Sequence, residues 1–151
     1  MKVYYPKDDL KNITKFPHKT VFLAGSIEMG KAEKWQEKMI QMAENDDIIF
    51  FNPRREDWDE TWDNNRYEGE MKQQIDWELY GLKTADVIVM YFDKNTSSPI
   101  TLLELGLHAA SRKIILCCPK GYYRKANVDA IAAHYELESV DTLKELYLAV
   151  K

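Results

Sequence analysis

Four short runs of β-branched and aromatic residues recur along the chain: TVFLAG at 20–25, DIIFFNP at 47–53, DVIVMYF at 86–92 and KIILCCP at 113–119. None shows the polar alternation of a strand with one wet side. A strand that is apolar on both faces must be covered on both, which is the condition of a parallel sheet between two helical layers. The intervening segments supply those layers. KAEKWQEKMIQMAEN carries Trp35, Met39 and Met42 at helical spacing, and GEMKQQIDWELYGLKT and SPITLLELGLHAASRK also read as helices. Strand, helix, strand repeats then predict an α/β architecture with a doubly wound sheet. KANVDAIAAHY, YELES and DTLKELYLAVK add two helices and a fifth, edge strand.

The expectation is therefore a single domain over residues 1–151, with a flavodoxin- or Rossmann-like sheet of about five mainly parallel strands and helices on both faces. Its 45% hydrophobic content is enough for one core. A net charge of -4 and a pI near 5.4 argue against a nucleic-acid polymer as partner, because phosphate-backbone binding rests on clustered Lys and Arg. A small-molecule partner is expected instead. MKVYYPKDDLKN lacks the apolar stretch of a signal peptide, and no later run approaches the roughly 20 residues that span a bilayer, so a cytoplasmic protein without membrane contact is expected. The adjacent Cys117 and Cys118 read as buried free thiols, since a disulfide between neighbours needs a strained geometry.

In an open parallel sheet, ligands bind beyond the carboxyl ends of the strands, where the strand order reverses. The segments that follow strands are AGSIEMG, NPRREDWD and DKNTSSPITLLE, so the site is expected there. GSIEMGKA nearly spells a phosphate loop, but Ala32 replaces the metal-binding hydroxyl and Glu28 sets a negative charge where amides would cradle phosphate. What remains is a tight turn at Gly25 that either delivers Ser26 to a ligand or merely joins strand to helix. Asp57, Asp59, Glu60 and Asp63 lack the glycine and terminal glutamate of a calcium loop and read as a solvated loop. His18, His108 and His134 share no ligand spacing, so no zinc site is expected. Trp58 and Trp62 either stack on a flat heterocycle or pin the long 52–69 loop. Arg54 and Arg55 either meet a phosphate or carboxylate ligand or pair with nearby acids.

Ser98 and Pro99 form a helix start, a serine N-cap followed by a proline whose missing N–H costs nothing there. Ile100, Leu103 and Leu107 then mark the expected buried stripe, and Glu104 lies on its edge. Burial raises the pKa of such a carboxylate while the helix N-terminus favours the anion, a combination suited to a nucleophile or base. The plain alternative is a structural pair with His108. In QIDWELYGLKTAD, Ile75, Leu79 and Leu82 mark an apolar face that Glu78 shares, with Asp76 as a reserve acid. Two inward carboxylates from neighbouring helices are the equipment of glycosidic-bond chemistry.

FLAGSI, WELYGLKTADVIVMYF and SPITLLELGLHAA together resemble the nucleoside 2-deoxyribosyltransferase superfamily, which also contains the 2′-deoxynucleoside 5′-phosphate N-hydrolases. The most specific element is an acid eight residues ahead of the Asp in ADV, combined with the later ELG. The resemblance implies Glu104 as nucleophile at C1′ of the deoxyribose and Glu78 as the acid that protonates or orients the base. It implies Gly25, Ser26, Asn52, Arg54, Asp57 and Ser98 as substrate-binding residues, with no metal or cofactor. Nucleosides or nucleotides and a free nucleobase would be its small molecules, and a homodimer or larger homo-oligomer its assembly. Ser98, six residues ahead of Glu104, and Ser26 match phosphate-contacting serines of the hydrolases, whereas those enzymes have Arg where this chain has Glu28. The NPRREDWDETW loop resembles the transferase-like branch, which favours base exchange over hydrolysis of a monophosphate; a silent nucleotide-binding module is the reading from another class.

Overall fold

The structure, a computed structural model, describes residues 1–15, 17–28 and 32–151. Strands and helices alternate along it: β1 (Lys2–Tyr4), β2 (Lys19–Gly25), α1 (Trp35–Met42), β3 (Ile48–Phe51), α2 (Gly69–Thr84), β4 (Val87–Tyr91), α3 (Pro99–His108), β5 (Ile114–Cys117), α4 (Lys125–Tyr135), β6 (Glu138–Val140) and α5 (Leu143–Val150). All six strands are parallel, in the order β1-β3-β2-β4-β5-β6. The doubly wound, flavodoxin-like sheet expected from the sequence is present, extended at one edge by β1. Three residues, Lys2 to Tyr4, are too few to show a periodicity, so that strand was not legible.

Alternate residues of each strand serve opposite faces. Phe22, Ala24, Ile88 and Met90 face Trp77 and Leu82 of α2, Leu105 of α3 and Val128 of α4. Val21, Leu23, Phe50 and Val89 face Trp35 and Met39 of α1 and Leu146 and Val150 of α5. Gly81 lets α2 lie directly on β2, since a Cβ there would stand 2.7 Å from Cε2 of Phe22. Asp86 fixes β4 beside β2: its Oδ2 accepts from the backbone N–H (2.8 Å) and hydroxyl (2.7 Å) of Thr20. The strand order reverses between β2 and β4, and this is where the crevice for a ligand opens.

The inward faces of α2 and α3 are not those the leucines mark. Leu79, Ile100, Leu103 and Leu107 are 46, 58, 66 and 58% exposed. Gln74, Trp77, Gly81 and Leu82 of α2, and Thr101 and Leu105 of α3, are buried instead. Glu104 therefore turns inward in the company of Thr101 and His108, three and four residues away, and Glu78 in that of Gln74 and Leu82. A helix that walls a polar crevice presents polar residues inward, so apolar count alone picks the wrong side.

Cys117 is buried and Cys118 half-buried, both as free thiols. Burial pushes each up to about 11, which keeps them unreactive near neutral pH. No helix among the described residues is long and apolar enough to cross a membrane.

Candidate active site

Gly25 ends β2 with φ +146, a conformation that L side chains rarely adopt. Its missing side chain lets β2 close on β4, and the next N–H, that of Ser26, donates to the carbonyl of Tyr91 at 2.9 Å. The Ser26 hydroxyl thereby enters a buried cluster. It lies 2.5 Å from the Ser98 hydroxyl, accepts from Thr96 Oγ1 at 3.0 Å and accepts from the Asp93 N–H at 2.8 Å. Thr96 and Ser98 hydroxyls are themselves 2.7 Å apart.

Pro99 is the first residue of α3, as its sequence predicts, but Ser98 does not cap the helix with its side chain. Its backbone is left-handed, at φ 48, which turns the hydroxyl toward Ser26 and leaves its N–H facing outward. Glu28, also left-handed at φ 48, supplies the acceptor for that N–H. Its Oε1 accepts from Ser98 N at 2.6 Å and from Ser97 Oγ at 3.0 Å. Of the near-phosphate-loop GSIEMGKA, Met29, Gly30 and Lys31 lie outside the described residues.

Glu78 and Glu104 project from adjacent helices and are both half-buried. Burial pushes Glu104 up to about 8, and the nearby Glu78 charge pushes in the same direction. Burial likewise raises Glu78 to about 7, partly offset by a hydrogen bond from Gln74. Gln74 Nε2 donates to Glu78 Oε1 at 2.6 Å and to the Pro53 carbonyl at 3.0 Å. Pro53 lies two residues past β3, so this turn of α2 sits at the carboxyl edge of the sheet. Both carboxyl groups are therefore raised toward neutrality, chiefly by burial, Glu104 further than Glu78.

The remaining candidates are distributed around this centre. Asn52 is buried at the end of β3; its N–H donates to Tyr4 O at 2.9 Å and its Oδ1 accepts from the Arg54 N–H at 3.0 Å. The Arg54 guanidinium donates to the carbonyls of Glu33 (3.1 Å) and Ala32 (3.3 Å), which ties the entry to α1 to the end of β3. Asp57 is exposed and bonded to Arg55 (2.9 Å) and Lys7 (2.9 Å), which hold its carboxyl well below the usual range. Arg55 also reaches Glu70 at 3.1 Å and lies 4.6 Å from the Trp62 ring. For Arg55 the pairing with nearby acids is what the structure contains. Trp58 and Trp62 meet edge to face at 5.1 Å and so pack the 52–69 loop upon itself.

An apolar cleft of about 320 Å³ between α3 and α4 is lined by Leu102, Leu105, Val128 and Ile131 among others, and includes neither carboxylate. The carboxylates lie apart from that cleft, Glu78 beside Gln74, whose amide reaches the Pro53 carbonyl just past β3. Sequence reasoning missed Gln74 and Thr96 as parts of the crevice at the strand ends. Gln74 is four residues from Glu78, a spacing that puts the two on one helical face; nothing in the sequence marks Thr96 except its place two residues before Ser98.

A family profile described as "Nucleoside 2-deoxyribosyltransferase like" matches residues 18–122, more than half of the chain. No curated protein matches. Among solved structures, a conserved protein from Enterococcus faecalis V583 aligns with a TM-score of 0.62 at 13% identity, covering 88% of this chain and 97% of that one. The CMP N-glycosidase BcmB of Clostridium botulinum aligns with a TM-score of 0.55 at 20% identity, covering 87% and 97%. At these identities the structural likeness concerns the fold.

Proposed function

From the premise that this chain belongs to the nucleoside 2-deoxyribosyltransferase-like family, we propose that it cleaves the N-glycosidic bond of a 2′-deoxynucleoside and transfers the sugar to another base. The observation that carries this reading is the half-buried pair of Glu78 and Glu104 on adjacent helices, both raised by burial toward neutrality, to about 7 and about 8, so that one of the two can be ionised while the other is protonated. Cleavage with retention needs one ionised and one protonated carboxyl group. Glu104 Oε attacks C1′, the C1′–N bond breaks, and its electron pair leaves on the base nitrogen, which takes the proton of Glu78. The sugar is then an ester of Glu104. A nitrogen of the second base attacks C1′ from the vacated face, its proton passes to Glu78, and the ester bond breaks to restore the Glu104 carboxylate. Two inversions give retention.

Before substrate binds, burial favours the proton on Glu104, the more strongly raised of the two. Positive charge developing at C1′ stabilises the Glu104 anion and moves the proton to Glu78, so the productive ionisation forms where the reaction needs it. Six residues separate Ser98 from Glu104, about 9 Å along the axis of α3. The Glu104 side chain leans back toward the helix N-terminus, which suits a pentose whose 5′ end meets Ser26 and Ser98 while C1′ faces Glu104. Asn52, Arg54 and Asp57 would form the outer wall.

The test is chromatography of the protein incubated with a deoxynucleoside and a different free base, and in parallel with deoxynucleoside monophosphates in buffer alone. A new deoxynucleoside supports transfer. Free base from the monophosphates only would replace it with hydrolysis, a second reading that the two crevice serines and the CMP N-glycosidase likeness favour. Binding without turnover of any of these substrates would point to a silent module. The pH dependence is a separate check: kcat/KM is expected to be bell-shaped with limbs near 7 and 8, falling about 100-fold by pH 5 and by pH 10. A flat profile across that range would remove the pair from the chemistry.

Self-association belongs to the same reading. Ile100, Leu103 and Leu107 form an exposed apolar stripe on the helix that carries Glu104, and a second copy of this chain is its expected cover. Sedimentation is expected to give a dimer or larger species, with Leu103→Asp shifting it to monomer. A monomeric wild-type protein at micromolar concentration overturns the assignment.

A further inference from the structure

We propose that Glu28 sets the 5′ specificity of the crevice: its carboxylate occupies the anion position at the start of α3, so the site accepts a free 5′-hydroxyl and rejects a 5′-phosphate. The inference rests on the reading of the crevice as a deoxynucleoside site, and it assigns the substrate class within that reading. The start of a helix offers outward N–H groups and a favourable dipole end to an anion. Here one of those groups, the Ser98 N–H, is already taken up by the protein. Ser98 N–H and Ser97 Oγ both donate to Glu28 Oε1, at 2.6 and 3.0 Å.

The contact is held by unusual backbone on both sides. Glu28 and Ser98 each adopt φ 48, a left-handed conformation that non-glycine residues rarely take. Ser97 is held in turn, because its carbonyl accepts from Tyr122 Oη at 2.7 Å. Among the described residues, the surroundings offer a phosphate little compensation. Asp93 brings a second carboxylate to this end of the crevice, accepting from the Glu33 N–H at 3.1 Å while its own N–H bonds Ser26. Arg54 bonds the carbonyls of Ala32 and Glu33, and Arg55 bonds Asp57 and Glu70. A phosphate would have to displace Glu28 from two donors and then lie beside its charge. A 5′-hydroxyl brings no charge against Glu28, and the hydroxyls at the rim of the cluster, those of Thr96 and Ser98, can donate or accept.

The experiment compares wild type with Glu28→Gln and Glu28→Ser, measuring kcat/KM for one deoxynucleoside and for its 5′-monophosphate, with the thermal midpoint as a check on folding. Wild type is expected to prefer the nucleoside, and the ratio is expected to fall at least about 100-fold in Glu28→Ser and in the same direction in Glu28→Gln. A wild-type preference for the monophosphate, or a ratio unchanged in both variants, overturns the proposal. If wild type turns over neither substrate, the assigned activity fails, and Glu28 is then judged by calorimetric titration with 2-deoxyribose 5-phosphate. Binding at least about tenfold tighter to folded Glu28→Gln than to wild type supports the role of Glu28, and equal affinity overturns it.

Discussion

Glu104→Ala is expected to lower turnover by at least about 10⁴-fold at pH 7.5 while leaving the far-ultraviolet circular dichroism unchanged, because the variant lacks the atom that forms the sugar ester and retains every strand contact. Retained turnover would sink the assignment of the nucleophile. A second readout separates a catalytic carboxylate from one that supports the fold. The Glu104 carboxyl is raised from its ordinary 4.5 to about 8, so its contribution to stability is fully present below pH 4.5 and is lost as pH rises through 8. Replacing it with the neutral isostere removes that loss. Glu104→Gln is therefore expected to match wild type in acid and to exceed it at pH 9 by up to about 5 kcal/mol, less what solvent screening of a half-buried group removes, in urea unfolding followed by tryptophan fluorescence. A variant less stable than wild type at pH 9 would show that Glu104 is a structural partner and not a strained functional group. A gain in stability with a loss of turnover is the signature of a site that the fold tolerates at a cost.

Gly25→Ala is the largest expected structural loss. Its Cβ would stand 2.3 Å from the Tyr91 carbonyl oxygen, 2.8 Å from Cζ2 of Trp35 and 2.9 Å from the Tyr91 nitrogen. Two of those three atoms are backbone of the neighbouring strand, so no side-chain rotation relieves them. With φ +146 the backbone is also unfavourable for alanine. The expected cost is at least about 4 kcal/mol, as overpacking against backbone and a strained conformation act at one position. Urea unfolding measures it directly, and a variant within about 1 kcal/mol of wild type would refute the packing argument. The Ser26 hydroxyl would move with the strand end, so ligand binding should fail in any Gly25→Ala protein that still folds.

Much of the architecture was legible because burial on both faces leaves a mark that needs no partner to be read. DIIFFNP, DVIVMYF and KIILCCP each contain the strand they suggest, TVFLAG misses only Lys19 of its strand, and α2 and α4 begin and end at the residues of their helical patterns. The short β1 carried no such mark, since its pairing with β3 is a contact with residues almost fifty positions away.

The site was legible in part. Glu78 and Glu104 were identified as inward carboxylates, yet the apolar stripes used to orient them, Leu79 on one helix and Ile100, Leu103 and Leu107 on the other, lie outside. The inward direction came out right because Glu104 lies between the leucine stripe and the face of Thr101 and Leu105, so either neighbour suggests an edge. Residue type and the following proline mark Ser98 as a cap, whereas its left-handed backbone, with the N–H on Glu28 and the hydroxyl on Ser26, involves residues 70 and 72 positions away.

What the sequence by itself determined is whatever follows from period and residue type: parallel strands, the limits of α2 and α4, a polar segment after each strand, and two acids on helical segments. What only the tertiary structure decided is which side of each helix faces the crevice and which donors each acid meets. Glu28 shows the difference. As a letter it is a negative charge near a turn; beside Ser97 and Ser98 it becomes the occupant of an anion position. The physical reason is that periodicity records average burial along one segment, whereas hydrogen-bond partners and desolvation are set by the other segments that close over it.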